Sequence, residues 1–278
     1  MNKLIVDSGC DISKDIIDHE SCNLSYVPLN LQLEDKVYLD DETLDLDDYL
    51  NHMENSPVGA KTSAPSPNLF FERFKSGDNV FVVTLSSKLS ATYQSAMTAK
   101  RMYLEECGKK FIHVFDSLTA SVGQGVIALK ISELIKKGTS SLDIVEQINQ
   151  MIKSTRTFFI LDKYDNLVKT GRINPYIAKL ASFLNVKPIC GDHEGEIKMV
   201  DKARGYNKAI IKLVAFIKEN TPDIEERVVA ISHCKCYERA VALKDEVLKH
   251  LRVKDVLIEE CKGVIATYAN RGGVVMAL

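Results

Sequence analysis

The 278-residue sequence contains no tryptophan, and it has neither a long apolar run nor an excess of one charge. Its 36 basic residues nearly balance 38 acidic ones, giving a formal net charge of -2. A chain with this charge does not attract nucleic acid over long range, so we expect no nucleic-acid partner. No apolar stretch approaches the roughly 20 residues of a membrane-spanning helix, and the N-terminus reads as a short strand rather than a signal peptide. These absences predict a cytoplasmic protein without an integral membrane segment.

The seven cysteines are odd in number and scattered along the chain, which is typical of reduced thiols rather than of a disulfide framework. Cys234 and Cys236, next to His233, could form half of a metal site, but no second pair of ligands lies near them in the sequence. We interpret these residues as the end of a buried strand and expect no metal. The acidic residues 34–48 lack the glycine and the bidentate glutamate of a calcium loop, which favours a solvated acidic surface.

Short apolar runs alternate with helical patterns, and this alternation predicts an α/β fold. The predicted strands cover residues 4–7, 26–31, 80–85, 111–115, 158–161, 227–232 and 256–259. The predicted helices cover residues 91–107, 126–137, 142–153, 208–218 and 238–251. Several strands are apolar throughout, so we expect mainly parallel sheets that are buried on both faces. A fresh series of strands near residue 157 indicates two α/β domains, residues 1–157 and 158–278, with a ligand site between them.

The first segment with candidate binding residues is Lys61-Thr62-Ser63-Ala64-Pro65-Ser66-Pro67. Ser66 and Pro67 are typical of the start of a helix, so that serine has a structural explanation. Thr62 and Ser63 have none, and the nearby proline favours an extended backbone that presents their hydroxyls. An ordinary polar loop remains the alternative.

The second segment is Leu85-Ser86-Ser87-Lys88-Leu89-Ser90-Ala91-Thr92-Tyr93, which joins an apolar strand to a helix. Hydroxyl groups and unpaired N–H groups at a helix start favour binding of a carboxylate or a phosphate. The segment lacks the P-loop pattern, and no histidine or carboxylate lies near Ser90 to activate it as a nucleophile. Ser90 is therefore predicted to bind a ligand rather than to attack one, and we expect no catalytic residue here.

The third segment, Gly123-x-Gly125-x-x-Ala128, matches the dinucleotide fingerprint and follows a predicted strand. It leaves open an alternative function, a nucleotide- or NAD(P)-dependent enzyme. The acidic residue at the expected spacing, Asp143, lies within a helical pattern instead of at the end of a second strand. Small residues that allow close packing or contact with a ligand chain are the preferred interpretation.

Two arginines next to glycines, Arg172 and Arg204, form a fourth group. Their guanidinium groups could face a phosphate or an acidic partner, since such groups bind in a bidentate manner. Solvated surface arginines are the alternative.

With these segments in order, the whole sequence resembles the DegV family of bacterial fatty acid-binding proteins. The resemblance is carried by several short motifs, namely Asp7-Ser8, Val27-Pro28-Leu29, Thr62-Ser63-x-Pro65-Ser66-Pro67, Ser86-Ser87-x-Leu89-Ser90-x-Thr92-Tyr93-x-Ser95-Ala96, Asp116-Ser117, Gly171-Arg172-Ile173 and Lys187-Pro188-Ile189. It implies a lipid-binding protein that has no catalytic residue and serves as the substrate-carrying subunit of fatty acid kinase, with a long-chain fatty acid as its ligand and no cofactor. A separate catalytic subunit is then the partner that phosphorylates the acid.

The same resemblance implies roles for individual residues. Thr62 and Ser90 are expected to hydrogen-bond the carboxylate, supported by Ser63 and by backbone N–H groups at Ala91 and Thr92. Further expectations are that Gly123 and Gly125 line the acyl tunnel and that Arg172 and Arg204 contact the kinase or a phosphate.

Two positions depart from the family pattern. Family members carry a His-Thr-Gly-Pro-Gly run near the C-terminus, and its histidine helps to hold the carboxylate. Tyr268 occupies that position here, so a phenol hydroxyl with a different reach replaces the imidazole. Ala91 replaces the usual glycine after the loop serine, which narrows the approach of the backbone to a ligand.

Overall fold

The computed structural model describes residues 2–17 and 22–278. The strands are β1 (Asn2–Asp7), β2 (Asn23–Val27), β3 (Asn30–Leu33), β4 (Lys36–Leu39), β5 (Lys61–Ser63), β6 (Asn79–Thr84), β7 (Phe111–Asp116), β8 (Thr157–Ile160), β9 (Val186–His193), β10 (Glu196–Arg204), β11 (Val228–His233), β12 (Asp255–Glu260) and β13 (Val274–Ala277). The helices are α1 (Leu46–Asn55), α2 (Pro67–Phe74), α3 (Thr92–Glu106), α4 (Val122–Lys136), α5 (Ser141–Ser154), α6 (Asp165–Lys169), α7 (Pro175–Ala181), α8 (Tyr206–Asn220), α9 (Tyr237–His250) and α10 (Gly263–Ala269). The predicted α/β class is confirmed. Within the described ranges, none of these helices combines the length and apolar character needed to cross a membrane.

The first sheet is parallel and four-stranded, in the order β2-β1-β6-β7. Its central strand β1 is buried on both faces. Leu4 and Val6 pack with side chains of α4 and α5, whereas Ile5 packs with phenylalanines of α2 and alanines of α3. Because helices cover both faces, the strands are continuous apolar runs. The expected parallel arrangement is confirmed in this sheet.

The second sheet has six strands in the order β10-β9-β8-β13-β11-β12. Only β11 and β12 are parallel neighbours, and the other four pairs are antiparallel. The expectation of a mainly parallel arrangement therefore does not extend to this sheet. One reason is the two-residue turn Glu194-Gly195 between β9 and β10, because both residues have positive φ and such turns reverse the chain. Helices α8 and α9 pack on one face, and the opposite face borders the cavity described below.

Helix α4 lies between the two large sheets and packs against β1, β11 and β13. Most of its residues are buried, as expected for a helix that is apolar on all sides.

The first sheet ends with β7 at Asp116, and the second begins with β8 at Thr157. The division into domains of residues 1–157 and 158–278 stays a prediction.

A third, antiparallel sheet has the order β4-β3-β5. The predicted strand at residues 26–31 is divided between β2 and β3, and Pro28, which has no N–H to donate, lies at the break. The acidic residues 34–48 form the β3–β4 turn, β4 and the start of α1. The prediction of a solvated acidic surface is wrong at Asp40, which is buried and accepts hydrogen bonds from the first two N–H groups of α10.

Candidate functional site

One cavity is surrounded by residues of the second sheet, the three-stranded sheet, α10 and the loop after β6. It contains about 850 Å³ of space between protein atoms, part of it continuous with solvent. The apolar part of the wall consists of Leu29, Leu85, Leu89, Ala120, Phe159, Leu161, Leu167, Ile197, Val264, Ile265, Ala269 and Val275. This wall favours a hydrocarbon ligand.

Two side chains at the end of β1 position parts of this wall. The Asp7 carboxylate accepts a hydrogen bond from the Leu85 N–H at 2.7 Å, and the Ser8 hydroxyl accepts one from the Leu29 N–H at 3.0 Å. Burial raises the pKa of Asp7 to about 6, and its hydrogen bonds oppose this shift. Asp7 and Ser8 lie behind the wall, so their role is to fix the loops that carry Leu85 and Leu29.

Thr62 and Tyr268 meet at one end of the cavity. Thr62 Oγ1 lies 2.8 Å from Tyr268 Oη, and both residues line the cavity. Side chains alternate along a strand, so β5 presents Thr62 to the cavity and Ser63 to the other side. Ser63 is exposed, does not line the cavity and accepts a hydrogen bond from Asn30 Nδ2 at 3.3 Å.

Ser90 lines the same cavity from the loop between β6 and α3. Its hydroxyl lies 2.8 Å from Thr92 Oγ1, and the Thr92 N–H points to it at 3.4 Å. Thr92 is buried behind Ser90, while Ala91 is exposed, and neither residue lines the cavity. Ser86 anchors the loop, because its hydroxyl donates to the Gly195 carbonyl at 2.8 Å.

Arg172 also belongs to the cavity wall. Its Nε donates to the Leu89 carbonyl at 3.2 Å, and its Nη1 donates to the Thr170 carbonyl at 3.0 Å. Its guanidinium carbon lies 5.6 Å from the centre of the Tyr268 ring. Arg204, by contrast, is exposed at the end of β10 and does not line the cavity.

The two glycines expected to line an acyl tunnel lie elsewhere, in the first turn of α4 and outside the cavity wall. A Cβ atom on Gly123 would lie 2.3 Å from Thr119 Oγ1 and 2.5 Å from Thr157 Oγ1, so Gly123 allows close packing behind two wall residues. Gly125 faces Ile12, whose Cβ would lie 3.3 Å from an added Cβ. The residue pattern leaves open close packing or contact with a ligand chain, and close packing explains both positions better.

The dinucleotide alternative does not match these positions. The glycines lie within α4, which follows β7 at the edge of its sheet. Asp143 lies in the first turn of α5, where its N–H donates to the Ser140 hydroxyl at 3.2 Å. A dinucleotide-binding unit needs this acidic residue at the end of its second strand.

Four of the predicted residues therefore share one end of the cavity: Thr62, Ser90, Arg172 and Tyr268. A carboxylate removed from water costs several kcal/mol unless hydrogen bonds or opposite charges compensate. Three neutral hydroxyl donors and one guanidinium group provide such compensation. This end suits an anionic head group, and the apolar remainder suits a hydrocarbon tail.

Five polar residues of the wall were not predicted from the sequence, namely Thr119, Ser121, Thr157, Asp192 and Glu196. Thr157 begins β8, and Asp192 lies near the end of β9. A signal for their position does exist, because Glu194-Gly195 followed by the alternating residues 196–204 is typical of a hairpin. That hairpin places the end of β9 over the cavity.

Fold and cavity together define an α/β protein that encloses an apolar cavity with hydrogen-bond donors at one end. The family model DegV, described as an uncharacterised protein of the DegV family, matches residues 1–278, and the chain belongs to this family. It is 33% identical over 278 residues to a DegV domain-containing protein of Streptococcus pyogenes serotype M1, with 99% of this chain and 98% of the relative covered.

Solved structures agree with this assignment. A DegV family protein from Ruminococcus gnavus, described with vaccenic acid, has a TM-score of 0.93 and 34% identity, and the match covers 100% of this chain and 99% of that one. The fatty acid kinase (Fak) B3 protein of Streptococcus pneumoniae, loaded with linoleic acid, has a TM-score of 0.93 and 29% identity, with coverage of 100% and 98%.

Proposed function

We propose that this chain binds a long-chain fatty acid, with the acyl chain in the apolar cavity and the carboxylate at Thr62, Ser90, Tyr268 and Arg172. The observation that carries this proposal is the single cavity in which these four polar residues share a wall with twelve apolar ones, Leu29, Leu85, Leu89, Ala120, Phe159, Leu161, Leu167, Ile197, Val264, Ile265, Ala269 and Val275. Bound fatty acids in the R. gnavus and S. pneumoniae proteins support it.

The two parts of the ligand contribute differently to binding. Each buried methylene contributes roughly 0.8 kcal/mol, so about fourteen of them supply on the order of 10 kcal/mol before the cost of ordering the chain. The tail therefore provides the affinity. The head group adds orientation, because it is bound only where hydroxyls and the guanidinium group replace its water.

The second part of the proposal is that the bound acid is presented to the catalytic subunit of fatty acid kinase in the cytoplasm. In that reaction a carboxylate oxygen attacks the γ-phosphoryl group of ATP on the kinase, and acyl phosphate and ADP form. This chain supplies no catalytic residue. The likeness to the S. pneumoniae Fak B3 protein supports a kinase partner. The described residues include all seven cysteines, and none is in a disulfide, in keeping with a reducing compartment.

Mass spectrometry of an organic extract of the purified protein tests the first part. We expect about one fatty acid per chain, and after lipid removal the protein should take up added octadecanoic acid. Protein that is recovered empty and takes up no acid would contradict the proposal. The second part is tested by adding ATP and a fatty acid kinase catalytic subunit to the loaded protein and measuring acyl phosphate.

A further inference from the structure

A second polar group lines the cavity, formed by Thr119, Thr157 and Asp192. The Thr157 N–H donates to Asp192 Oδ1 at 3.0 Å, and Thr119 Oγ1 lies 2.6 Å from Thr157 Oγ1. The surrounding wall is largely apolar, with Phe159 two residues along β8. A carboxylate in such surroundings requires an explanation, because an apolar side chain would cost less there.

Strand geometry separates this group from the proposed carboxylate end. Thr157, Phe159 and Leu161 alternate along and just beyond β8 and all line the cavity, so they mark out one side of it. Thr157 and Leu161 are four residues apart, which corresponds to roughly 13 Å along an extended strand.

Leu161 marks the end where Tyr268 lies. It precedes α6, whose Asn166 Nδ2 donates to the Thr267 carbonyl at 2.8 Å, directly before Tyr268. The Arg172 N–H donates to the carbonyl of Leu167, which is also in α6. Thr157 and Asp192 therefore lie roughly 13 Å from the end that contains Tyr268, a distance that an extended acyl chain covers with about ten carbons, since each bond advances it by about 1.3 Å.

The hydrogen bonds present leave Asp192 with unused capacity. An ionised carboxylate offers about four acceptor positions. The Thr157 N–H occupies one. The hydroxyls of Thr119 and Thr157 carry one proton each. The hydrogen bond between them uses one of these protons, so at most one is left to donate a second hydrogen bond to Asp192. Burial raises the pKa of Asp192 to about 6, while its hydrogen bonds and Arg156 oppose the shift, so the group is mainly ionised at neutral pH.

We propose that Asp192, positioned by Thr157 and Thr119, recognises a hydroxyl group about ten carbons along the acyl chain, so that this protein prefers long-chain hydroxy acids. This inference rests on the proposed function, because it takes the carboxylate to be at Thr62, Ser90, Tyr268 and Arg172. The ligand hydroxyl donates to Asp192. A plain hydrocarbon chain supplies no donor to the carboxylate.

The experiment compares the affinities of the lipid-free protein for matched acids, measured by competition against one fluorescent fatty acid. The acids are octadecanoic acid, its derivatives with a hydroxyl on carbon 10 or carbon 12, and a control with a hydroxyl next to the carboxylate. We expect one of the two distal hydroxy acids to bind about tenfold more tightly than octadecanoic acid, the ratio that one hydrogen bond to a charged group provides. The control acid should show no such gain.

Asp192→Asn tests the assignment to this residue, and Asp201→Asn is the matched control, because Asp201 pairs with Lys212 outside the cavity. The ratio of the two affinities should fall to within about twofold in the first variant and stay at its wild-type value in the second.

Each outcome of these binding experiments leads to one conclusion. If octadecanoic acid binds and neither distal hydroxy acid is preferred, the inference is wrong and the proposed function stands. The same lack of preference is expected if a water molecule occupies the unused acceptor positions of the Asp192 carboxylate. A preference that survives Asp192→Asn overturns the assignment to Asp192. If no acid binds at all, the proposed function fails and this inference fails with it. The wild-type comparison decides the preference even if the variant does not fold.

Discussion

Thr62 Oγ1 and Tyr268 Oη are 2.8 Å apart, although the two residues are separated by 206 positions in the sequence. The contact joins β5 to α10 at the polar end of the cavity. Two hydroxyl groups share two protons, and the mutual hydrogen bond uses only one of them. The other proton is available to an anionic ligand, so the pair acts as a donor whose position is fixed before the ligand arrives.

Removal of both hydroxyls that are expected to bind the carboxylate should weaken binding strongly. We predict that Thr62→Ala together with Ser90→Ala reduces the affinity for octadecanoic acid by roughly 2 to 5 kcal/mol, since each lost donor to a buried anion costs about 1 to 3 kcal/mol. Isothermal titration of the lipid-free variant measures this loss. The control is Ser63→Ala, next to Thr62 but exposed outside the cavity. Equal affinities for the double variant and the wild type would place the carboxylate elsewhere.

Tyr268 provides a finer test of the same end. Tyr268→Phe keeps the ring next to Arg172 and removes only the hydroxyl, so we expect octadecanoic acid to bind about tenfold more weakly, as for one hydrogen bond to a charged group. Tyr268→His restores a donor and should weaken binding less than Tyr268→Phe does. Competition with a fluorescent fatty acid measures both variants, and a larger loss for histidine than for phenylalanine would show that the phenol does not act as a donor.

A part of this fold can be predicted from the sequence when a single physical cause, such as burial of a strand on both faces, explains its residue pattern. Strands such as Val80-Phe81-Val82-Val83 are apolar throughout because helices cover both faces, and that pattern correctly predicts a parallel first sheet. The second sheet is not predicted by the same reasoning, because β13 enters it antiparallel to both of its neighbours. Strand order and direction depend on contacts between distant segments, which an apolar run does not encode.

The candidate site likewise contains residues that can be recognised in the sequence and residues that cannot. Thr62 stands out in the sequence because no capping role explains it, and Ser90 stands out because it lies in a hydroxyl-rich loop at the start of a helix. Both line the cavity. Asp192 and Thr157 do not stand out, because each looks like an ordinary polar residue at the end of a strand. Only the pairing of β8 with β9 brings them together. Gly123 and Gly125 fit a known motif, but their environment in α4 explains them by packing.

The two glycines of α4 are predicted to differ in their tolerance of alanine. In Gly123→Ala the new Cβ would approach Thr119 Oγ1 to 2.3 Å and Thr157 Oγ1 to 2.5 Å. We expect a net loss of about 1 to 2 kcal/mol of unfolding free energy, because overpacking exceeds the gain in helix propensity. Gly125→Ala is the matched control, with a milder contact of 3.3 Å to Ile12, and should be near neutral. Urea unfolding measures both, and equal losses would contradict this account of α4.

Buried Asp11 should make the protein less stable as the pH rises from about 4 to about 7. Its carboxylate accepts hydrogen bonds from the Lys262 N–H at 2.7 Å and from the Ser121 hydroxyl at 2.6 Å. Burial raises the pKa of Asp11 from 3.8 to about 7, against the effect of these bonds and of the Lys262 charge. The folded state therefore holds a proton that the unfolded state has lost above about pH 4. Unfolding free energy must fall between pH 4 and pH 7 as the folded group ionises.

Asp11→Asn removes this titration while keeping an acceptor for the Lys262 N–H. We expect the stability of the variant, relative to the wild type, to increase by about 2 to 4 kcal/mol between pH 4.5 and pH 7.5. Urea unfolding of both proteins at the two pH values gives the difference, in which the contributions of other titrating groups cancel. A difference that does not change with pH would show that Asp11 ionises normally in the folded state.

The family resemblance implies that Arg172 and Arg204 contact the kinase or a phosphate, but the positions of the two residues predict different effects. Arg204 is exposed and lies outside the cavity, so Arg204→Ala should leave the affinity for octadecanoic acid within about twofold of wild type. If its guanidinium group pairs with an acidic surface of the catalytic subunit, the rate of acyl phosphate formation at limiting carrier should fall by about fivefold, since an ion pair at the rim of an interface is worth up to about 1 kcal/mol.

Arg172 lies in the cavity wall next to Tyr268, so Arg172→Ala should lower both the affinity and the rate. Arg101→Ala on α3 is the control for Arg204, because Arg101 is also exposed and, among the residues that the structure describes, its side chain donates only to Thr98 on its own helix. An Arg204→Ala protein that supports the wild-type rate would remove Arg204 from the docking surface. A loss of rate in the Arg101 variant would show instead that the kinase responds to overall charge, because a specific contact depends on position and a general attraction does not.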